Sequence, residues 1–296
     1  MLFNYSVSMK VAIITGADGG IGRNLTLRLA KEGFTIVMGC RSGQKGAVVC
    51  QQIIQQTSNQ AIEVIEIDLA SLDSIQQFVK NVRSKYNKID VLLNNAGVLA
   101  HRYQTTNENV EYTIAVNYLG SYLLTEQLVP LMVAGTKIVN TVSLMLRYGK
   151  IHADFLSAKH AHFDRFTYYS HSKLALYYAT LEWSEKWKDK GITVNCVDPG
   201  IVNTNIIRMG NKFIDKLCDV FFRPLIRTPQ QGADTIIYLV IENKHNDTTG
   251  QVFKSRKIKQ IPPSVNNHLW RASLKEQTQN FIAEHIPAMQ HLSQDV

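Results

Sequence analysis

The stretch Lys10-Val11-Ala12-Ile13-Ile14-Thr15, followed at once by Gly16-Ala17-Asp18-Gly19-Gly20-Ile21-Gly22, decides how the chain folds. Its first half is a short apolar run rich in β-branched residues, the pattern of a strand buried on both faces. Its second half is a glycine-rich turn opening into a helical pattern that reaches about residue 32. The same alternation continues downstream. Strands are predicted over 34–40, 61–67, 89–93, 137–142 and 192–197. Helices are predicted over 44–57, 72–86 and 167–188, with two helical stretches across 107–133. Apolar strands each separated by a helix imply a mainly parallel sheet covered on both faces and joined by right-handed crossovers. The fold class is therefore α/β, a doubly wound sheet of about seven strands in a single domain.

Composition narrows the function classes. Of 296 residues, 45% are hydrophobic and 19% charged, which fits a globular chain with a sizeable core and excludes disorder. The net charge of +8 could draw in nucleic acid, an acidic membrane or a polyanionic cofactor. The Lys and Arg residues are scattered, however, and the densest group, Lys254, Arg256, Lys257 and Lys259, is short. With no aromatic platforms beside it, nucleic acid is not an expected partner. Four cysteines, Cys40, Cys50, Cys196 and Cys218, show no CxxC pair and no metal-ligand spacing. Two of them fall in strand-like runs, where cysteine acts as a small hydrophobe, so a reducing cytoplasm is the expected compartment. The opening MLFNYSVSMK has neither a basic region nor an apolar run of signal-peptide length. No transmembrane segment is expected, and only peripheral membrane contact stays open.

The glycine-rich turn carries the first chemistry. Glycines at 16, 20 and 22 allow a tight turn and close approach of a pyrophosphate to backbone, and the helix that follows presents its unpaired N–H groups. Such loops also serve as plain turns, but its place between strand and helix favours a dinucleotide site of a Rossmann-like fold. An acid at the end of the second strand would accept from the 2′-hydroxyl of NAD, whereas Arg suits the 2′-phosphate of NADP. The chain has Gly39-Cys40-Arg41-Ser42 there, and Arg23 could add a second cation. NADP(H) is thus the preferred cofactor, with NAD(H) as the alternative.

A second constellation lies in Tyr169-Ser170-His171-Ser172-Lys173, where i,i+4 spacing stacks Tyr169 and Lys173 on one helix face. A phenol with its usual pKa near 10 is a poor base at neutral pH, and a nearby ammonium lowers that value. Alone, such a pair also describes an amphipathic surface helix.

Together with the turn, the pair resembles the short-chain dehydrogenase/reductase family over about residues 10–255. TGADGGIG at Thr15–Gly22 matches the family's glycine loop, Asn94-Asn95-Ala96-Gly97 its NNAG element, and Pro199-Gly200 its PG turn. Asn117, Ser143, Tyr169 and Lys173 match its Asn-Ser-Tyr-Lys tetrad. The resemblance implies that Tyr169 exchanges a proton with the substrate oxygen and that Lys173 lowers its pKa and holds the nicotinamide ribose. It also implies that Ser143 donates to the substrate oxygen and that Asn117 positions a relay water. Gly16, Asp18, Gly20, Ile21, Gly22, Arg23, Arg41, Asp68, Leu69, Asn95, Ala96, Gly97, Pro199, Gly200, Val202 and Thr204 are then the expected cofactor contacts. The strand end Gly39-Cys40-Arg41, the helix start YSHSKLAL and the TPQQGADTIIYL segment are similar to the retinol-dehydrogenase-like branch. That branch implies NADP(H) and apolar carbonyls or alcohols. His171 and the stretch 151–165 depart from it. Read without the family, Ser143 could cap a strand end, Asn117 could bend a helix, and Asp68 could cap the next helix.

The segment at about 201–227 carries Ile206, Ile207, Met209, Phe213, Ile214, Leu217, Val220, Phe221 and Phe222, so a greasy wall over the substrate is expected. The same residues could pack a core or, with Lys212, Lys216, Arg223 and Arg227 among them, touch a membrane. The remaining 256–296 reads as a C-terminal extension. His152, His160 and His162 show no zinc-ligand spacing, and no metal is expected. The sequence thus predicts hydride transfer between a nicotinamide and a small carbonyl or alcohol substrate. A catalytically weak cofactor-binding sensor or scaffold of the same fold is the alternative. Either a homodimer or a monomer fits.

Overall fold

A computed structural model of the chain describes residues 9–157, 163–202, 226–286 and 289. Seven strands run parallel: β1 (Val11–Thr15), β2 (Thr35–Cys40), β3 (Ile62–Glu66), β4 (Ile89–Asn94), β5 (Met132–Thr141), β6 (Thr193–Val197) and β7 (Val252–Lys254). A two-residue antiparallel strand, β8 (Lys257–Ile258), closes one edge. The spatial order is β3-β2-β1-β4-β5-β6-β7-β8. Chain travel therefore reverses between β1 and β4, which opens a crevice at the carboxyl ends of those strands.

Side-chain alternation along each strand divides the core in two. Ile13, Val37, Leu92 and Ile138 face α3 (Leu72–Lys85), α5 (Gly120–Leu128) and α6 (Arg165–Lys186). Ile14, Met38, Leu93 and Val139 face α1 (Gly20–Lys31), α2 (Gly43–Thr57) and α7 (Pro229–Ile241). Burial on both faces is why the strands read as unbroken apolar runs. Local chemistry starts the helices. Ser42 and Ser71 accept from the N–H groups of Lys45 and Ser74, and Thr228 with Gln231 forms a reciprocal box ahead of Pro229.

Three departures from the sequence expectations have physical causes. The two predicted helical stretches over 107–133 instead form one continuous rod from Tyr112. It comprises α4 (Tyr112–Ile114), a π segment at Ala115–Leu119, α5, and a short 3₁₀ turn at Val129–Leu131. It starts late because Thr105 and Glu111 bridge antiparallel around Asn109, and Glu111 then caps the Ile114 N–H. β5 begins at Met132 rather than 137, since a register shift between Ile89 and Val91 lets the strand bulge. Thr136 steadies the bulge by accepting from Val133 N–H and donating to the Ile89 carbonyl. The eighth strand escapes the sequence because its turn uses Ser255 and Arg256, both at positive φ, in place of the Asn-Gly signal.

The C-terminal helix α8 (His268–His285) returns over the α5–α6 side. Tyr118 and Thr278 hydroxyls meet at 2.7 Å, and Tyr178 donates to the Val265 carbonyl at 2.6 Å. Cys40, Cys50 and Cys196 are buried free thiols, and among the described residues no helix is long and apolar enough to cross a membrane.

Candidate active site

The crevice at the strand ends is a cleft of about 430 Å³. Its floor is set by hydrogen bonds that bind the glycine-rich turn to its neighbours. Gly16 and Ala17 N–H groups donate to the Gly39 carbonyl at 2.8 and 3.3 Å, fastening the turn to β2. Thr15 Oγ1 accepts from the N–H groups of Asn95 and Ala96, each at 3.0 Å, fastening β1 to the end of β4. The Asn95 amide donates back to the Thr15 carbonyl at 2.9 Å.

Gly16, at φ +63°, lies so close to Ala96 that a Cβ would sit 3.1 Å from its Cα. At Gly22 a Cβ would overlap the Gly16 carbonyl and come within 2.9 Å of the Asn95 amide. The cradle is therefore shaped by missing side chains, and with the α1 N-terminus behind it the residues fit a dinucleotide pyrophosphate. Gly22→Ala is expected to lower nicotinamide-cofactor affinity more than tenfold and to cost about 1–3 kcal/mol of stability, as overpacking does. Cofactor titration and urea melts of the variant check this, and wild-type values in both would overturn it.

Most of the expected residues line the cleft: Gly16, Asp18, Gly20, Ile21, Arg41, Asp68, Leu69, Asn95, Ala96, Gly97, Ser143, Tyr169, Lys173, Pro199, Gly200 and Val202. Three do not. Gly22 packs beneath the turn, and Arg23 turns away to Gln52 of α2 at 3.4 Å, which corrects its reading as a second cation of the site. Asn117 is buried in the π segment, its amide donating to the Val98 carbonyl and Ser172 Oγ and accepting from Val98 N–H. The helix is thus irregular where the side chain must hold the loop after β4. Thr204 and the apolar positions 206–222 lie outside the described residues, as do His160 and His162. The ends of that segment are joined, Val202 bridging Arg227, whose N–H donates to the Ile201 carbonyl at 2.7 Å.

Thr15, Ile67, Val98, Tyr112, Val116, Thr141 and Val142 line the cleft without having been expected. Tyr112 is the informative case. Its hydroxyl accepts from the Arg41 guanidinium at 2.9 Å, a contact between residues 71 apart that no local pattern could announce. Asp198 was also missed. It is buried, paired with Lys254 at 2.8 Å, and accepts from Gly200 N–H in the turn after β6.

At the opposite end, Ser143 follows β5 and Tyr169 and Lys173 project from α6. Ser143 begins a 3₁₀ turn at Leu144–Tyr148, where its hydroxyl accepts from Met145 N–H. Lys173 is buried, and its Nζ donates to the Thr141 carbonyl at 2.8 Å and lies 5.6 Å from the centre of the Tyr169 ring. Burial pulls this ammonium down to about 8. The Tyr169 phenol was expected to be lowered by Lys173. Burial first and Asp198 second push it up to about 12, with the Ser143 hydroxyl opposing. His171, the departure from the family pattern, is buried on α6 and accepts at Nδ1 from Lys150 N–H at 3.0 Å, so it holds the loop that follows Ser143. Asp68 serves two purposes, lining the cleft while its carboxylate accepts from Ala70 N–H; Ser71 is the helix cap.

Comparison with known proteins agrees with this geometry. The family model described as short chain dehydrogenase matches residues 10–213. The chain belongs to the short-chain dehydrogenase/reductase family, oxidoreductases that transfer hydride between NAD(P) and an alcohol or carbonyl carbon. Within the family it is retinol-dehydrogenase-like. Retinol dehydrogenase 13 of Mus musculus is 33% identical over 90% of this chain and 83% of its own length. Retinol dehydrogenase 11 of Homo sapiens is 32% identical over 89% and 84%. Among solved structures, a 3-ketoacyl-(acyl-carrier-protein) reductase from Brucella melitensis complexed with NADH superposes with a TM-score of 0.64 at 23% identity, covering 83% of this chain and 96% of that one. A short chain dehydrogenase from Shigella flexneri complexed with NADP gives 0.62 at 22% identity, covering 84% and 97%.

Proposed function

We infer that this chain reduces or oxidises a small lipophilic carbonyl or alcohol with NADP(H) in preference to NAD(H), using Tyr169 as the general acid and base. The observation that carries this reading is the convergence of Ser143, Tyr169 and Lys173 at one end of the switch-point cleft, opposite a glycine cradle at the other. Gly16, Gly20, Ile21, Asn95, Gly97 and Lys173 would hold the dinucleotide, which when bound supplies the hydride donor or acceptor. Tyr169 then gives its hydroxyl proton to the carbonyl oxygen, or takes one from the alcohol. Ser143 donates to the same oxygen and stabilises the charge that gathers on it. Lys173 would hold the ribose, and Asn117 fixes the loop after β4 beside it. Arg41, the cation at the β2 end of the cleft, favours the phosphorylated cofactor.

Two observations support a lipophilic substrate. The relatives are named for retinol, a greasy alcohol. Tyr148, on the turn five positions after Ser143, and Phe166, three positions before Tyr169 at the start of α6, are exposed aromatics. Buried thiols at Cys40, Cys50 and Cys196 support the cytoplasm as the compartment we propose.

The test follows nicotinamide absorbance with purified protein and a panel of aldehydes, ketones and alcohols of increasing apolar size. Turnover is expected to rise with apolar size and to be faster with NADPH or NADP. Tight cofactor binding without turnover across the panel would favour the sensor alternative, and absence of cofactor binding would defeat the reading of the cleft.

A further inference from the structure

The β2 end of the cleft is not simply cationic. Asp18 and Arg41 line it together. Backbone bonds bring their segments together, because Gly16 and Ala17 N–H groups both donate to the Gly39 carbonyl, which fastens the turn to the strand end that carries Cys40 and Arg41. Burial, and after it the charge of Asp18, pushes the Cys40 thiol up to about 12, which fits a carboxylate near the end of β2. Glu66, at the end of β3, accepts from Gly43 N–H at 2.8 Å and so places a second carboxylate at the start of α2. Arg23 does not compensate, since it is turned to Gln52. Besides Lys173 at the far end, Arg41 is the one cation lining the cleft among the described residues, and it is held by the Tyr112 hydroxyl.

We propose that Asp18 sets cofactor selectivity in this chain: its carboxylate shares the adenosine end of the cleft with Arg41, accepts from a ribose 2′-hydroxyl and opposes a 2′-phosphate, so that both NAD(H) and NADP(H) are used. The acid that dinucleotide folds commonly carry at the end of the second strand is here displaced onto the glycine-rich turn, and the strand end carries the cation instead. A 2′-phosphate would gain a charge-assisted bond from Arg41 and lose against Asp18, while a 2′-hydroxyl would gain from Asp18 alone. The proposal rests on the reading of the cleft as an NAD(P) site and narrows the preference that Arg41 gives.

Calorimetric titration of the full chain with ADP-ribose and with 2′-phospho-ADP-ribose isolates this end of the cleft from catalysis. For the wild type the two Kd values are expected to lie within about tenfold of each other. Asp18→Asn, nearly isosteric, is expected to tighten 2′-phospho-ADP-ribose at least tenfold and to weaken ADP-ribose several-fold, since a charge close to the phosphate is removed. Arg41→Ala is expected to weaken only the phosphorylated probe. If Asp18→Asn moves both probes equally, or neither, while Arg41→Ala still discriminates, Asp18 has no part in selectivity and the proposal falls. If neither probe binds the wild type, the dinucleotide reading falls and takes the proposal with it.

Discussion

Replacing Tyr169 by Phe is expected to lower turnover roughly 10²–10⁴-fold, the usual worth of a positioned proton donor, with cofactor affinity within a few-fold of wild type. The ring fills the same space, and the hydroxyl is the only group lost. Its removal takes away the proton delivered to the substrate oxygen and leaves the Ser143 bond in place. Because burial and Asp198 push the phenol up to about 12, it is protonated at neutral pH and ready to donate. Reduction should therefore be nearly flat from pH 6 to 8. Oxidation needs the phenolate, so its kcat/KM should climb with pH over the same range. Steady-state rates in both directions, with the variant alongside, check the claim. A Phe variant that keeps a tenth or more of wild-type turnover would show that another group supplies the proton.

How much of this site could be read from sequence depends on how local each contact is. The cradle was legible because strand, glycines and helix are consecutive between Val11 and Lys31, and the glycines are demanded by close approaches within that same turn. The Tyr169–Lys173 pair was legible because helical periodicity alone stacks residues four apart. Arg23 shows the limit. It is adjacent in sequence to the last glycine, yet on a helix one position is about 100° of rotation, enough to send its guanidinium to α2 instead of the cleft. Tyr112 and Asp198 were invisible for a different reason. Their importance comes from partners 71 and 56 positions away, Arg41 and Lys254, brought near by sheet order rather than by any local pattern. The burial of Tyr169, the largest influence on its phenol here, is likewise not written in the local sequence, which shows only charged neighbours.

The same burial gives the second large prediction, which sets activity against stability. Lys173→Met is expected to reduce turnover by about two orders of magnitude or more, since the side chain that supports Tyr169 and the ribose is lost. Yet at pH 7, without cofactor, the variant should melt higher than wild type. The sign follows from linkage. The Lys173 ammonium is pulled from its ordinary 10.5 down to about 8 in the folded protein, so between those values the unfolded chain binds more protons and stability rises with pH. Below pH 8 the full cost of burying the charge is present, on the order of 3 kcal/mol for a shift of this size. The bond from Nζ to the Thr141 carbonyl, worth about 1 kcal/mol net, is lost in the variant and offsets part of the gain. A net gain of about 1–2 kcal/mol would raise Tm by a few degrees in a chain of this length. The advantage should shrink as pH rises from 8 toward 10.5, where wild-type Lys173 sheds its proton in both states. Thermal melts of the two proteins at pH 7 and pH 10 decide the matter. A Met variant that melts lower at pH 7, or whose advantage grows with pH, would mean that Lys173 is not held as a costly buried charge.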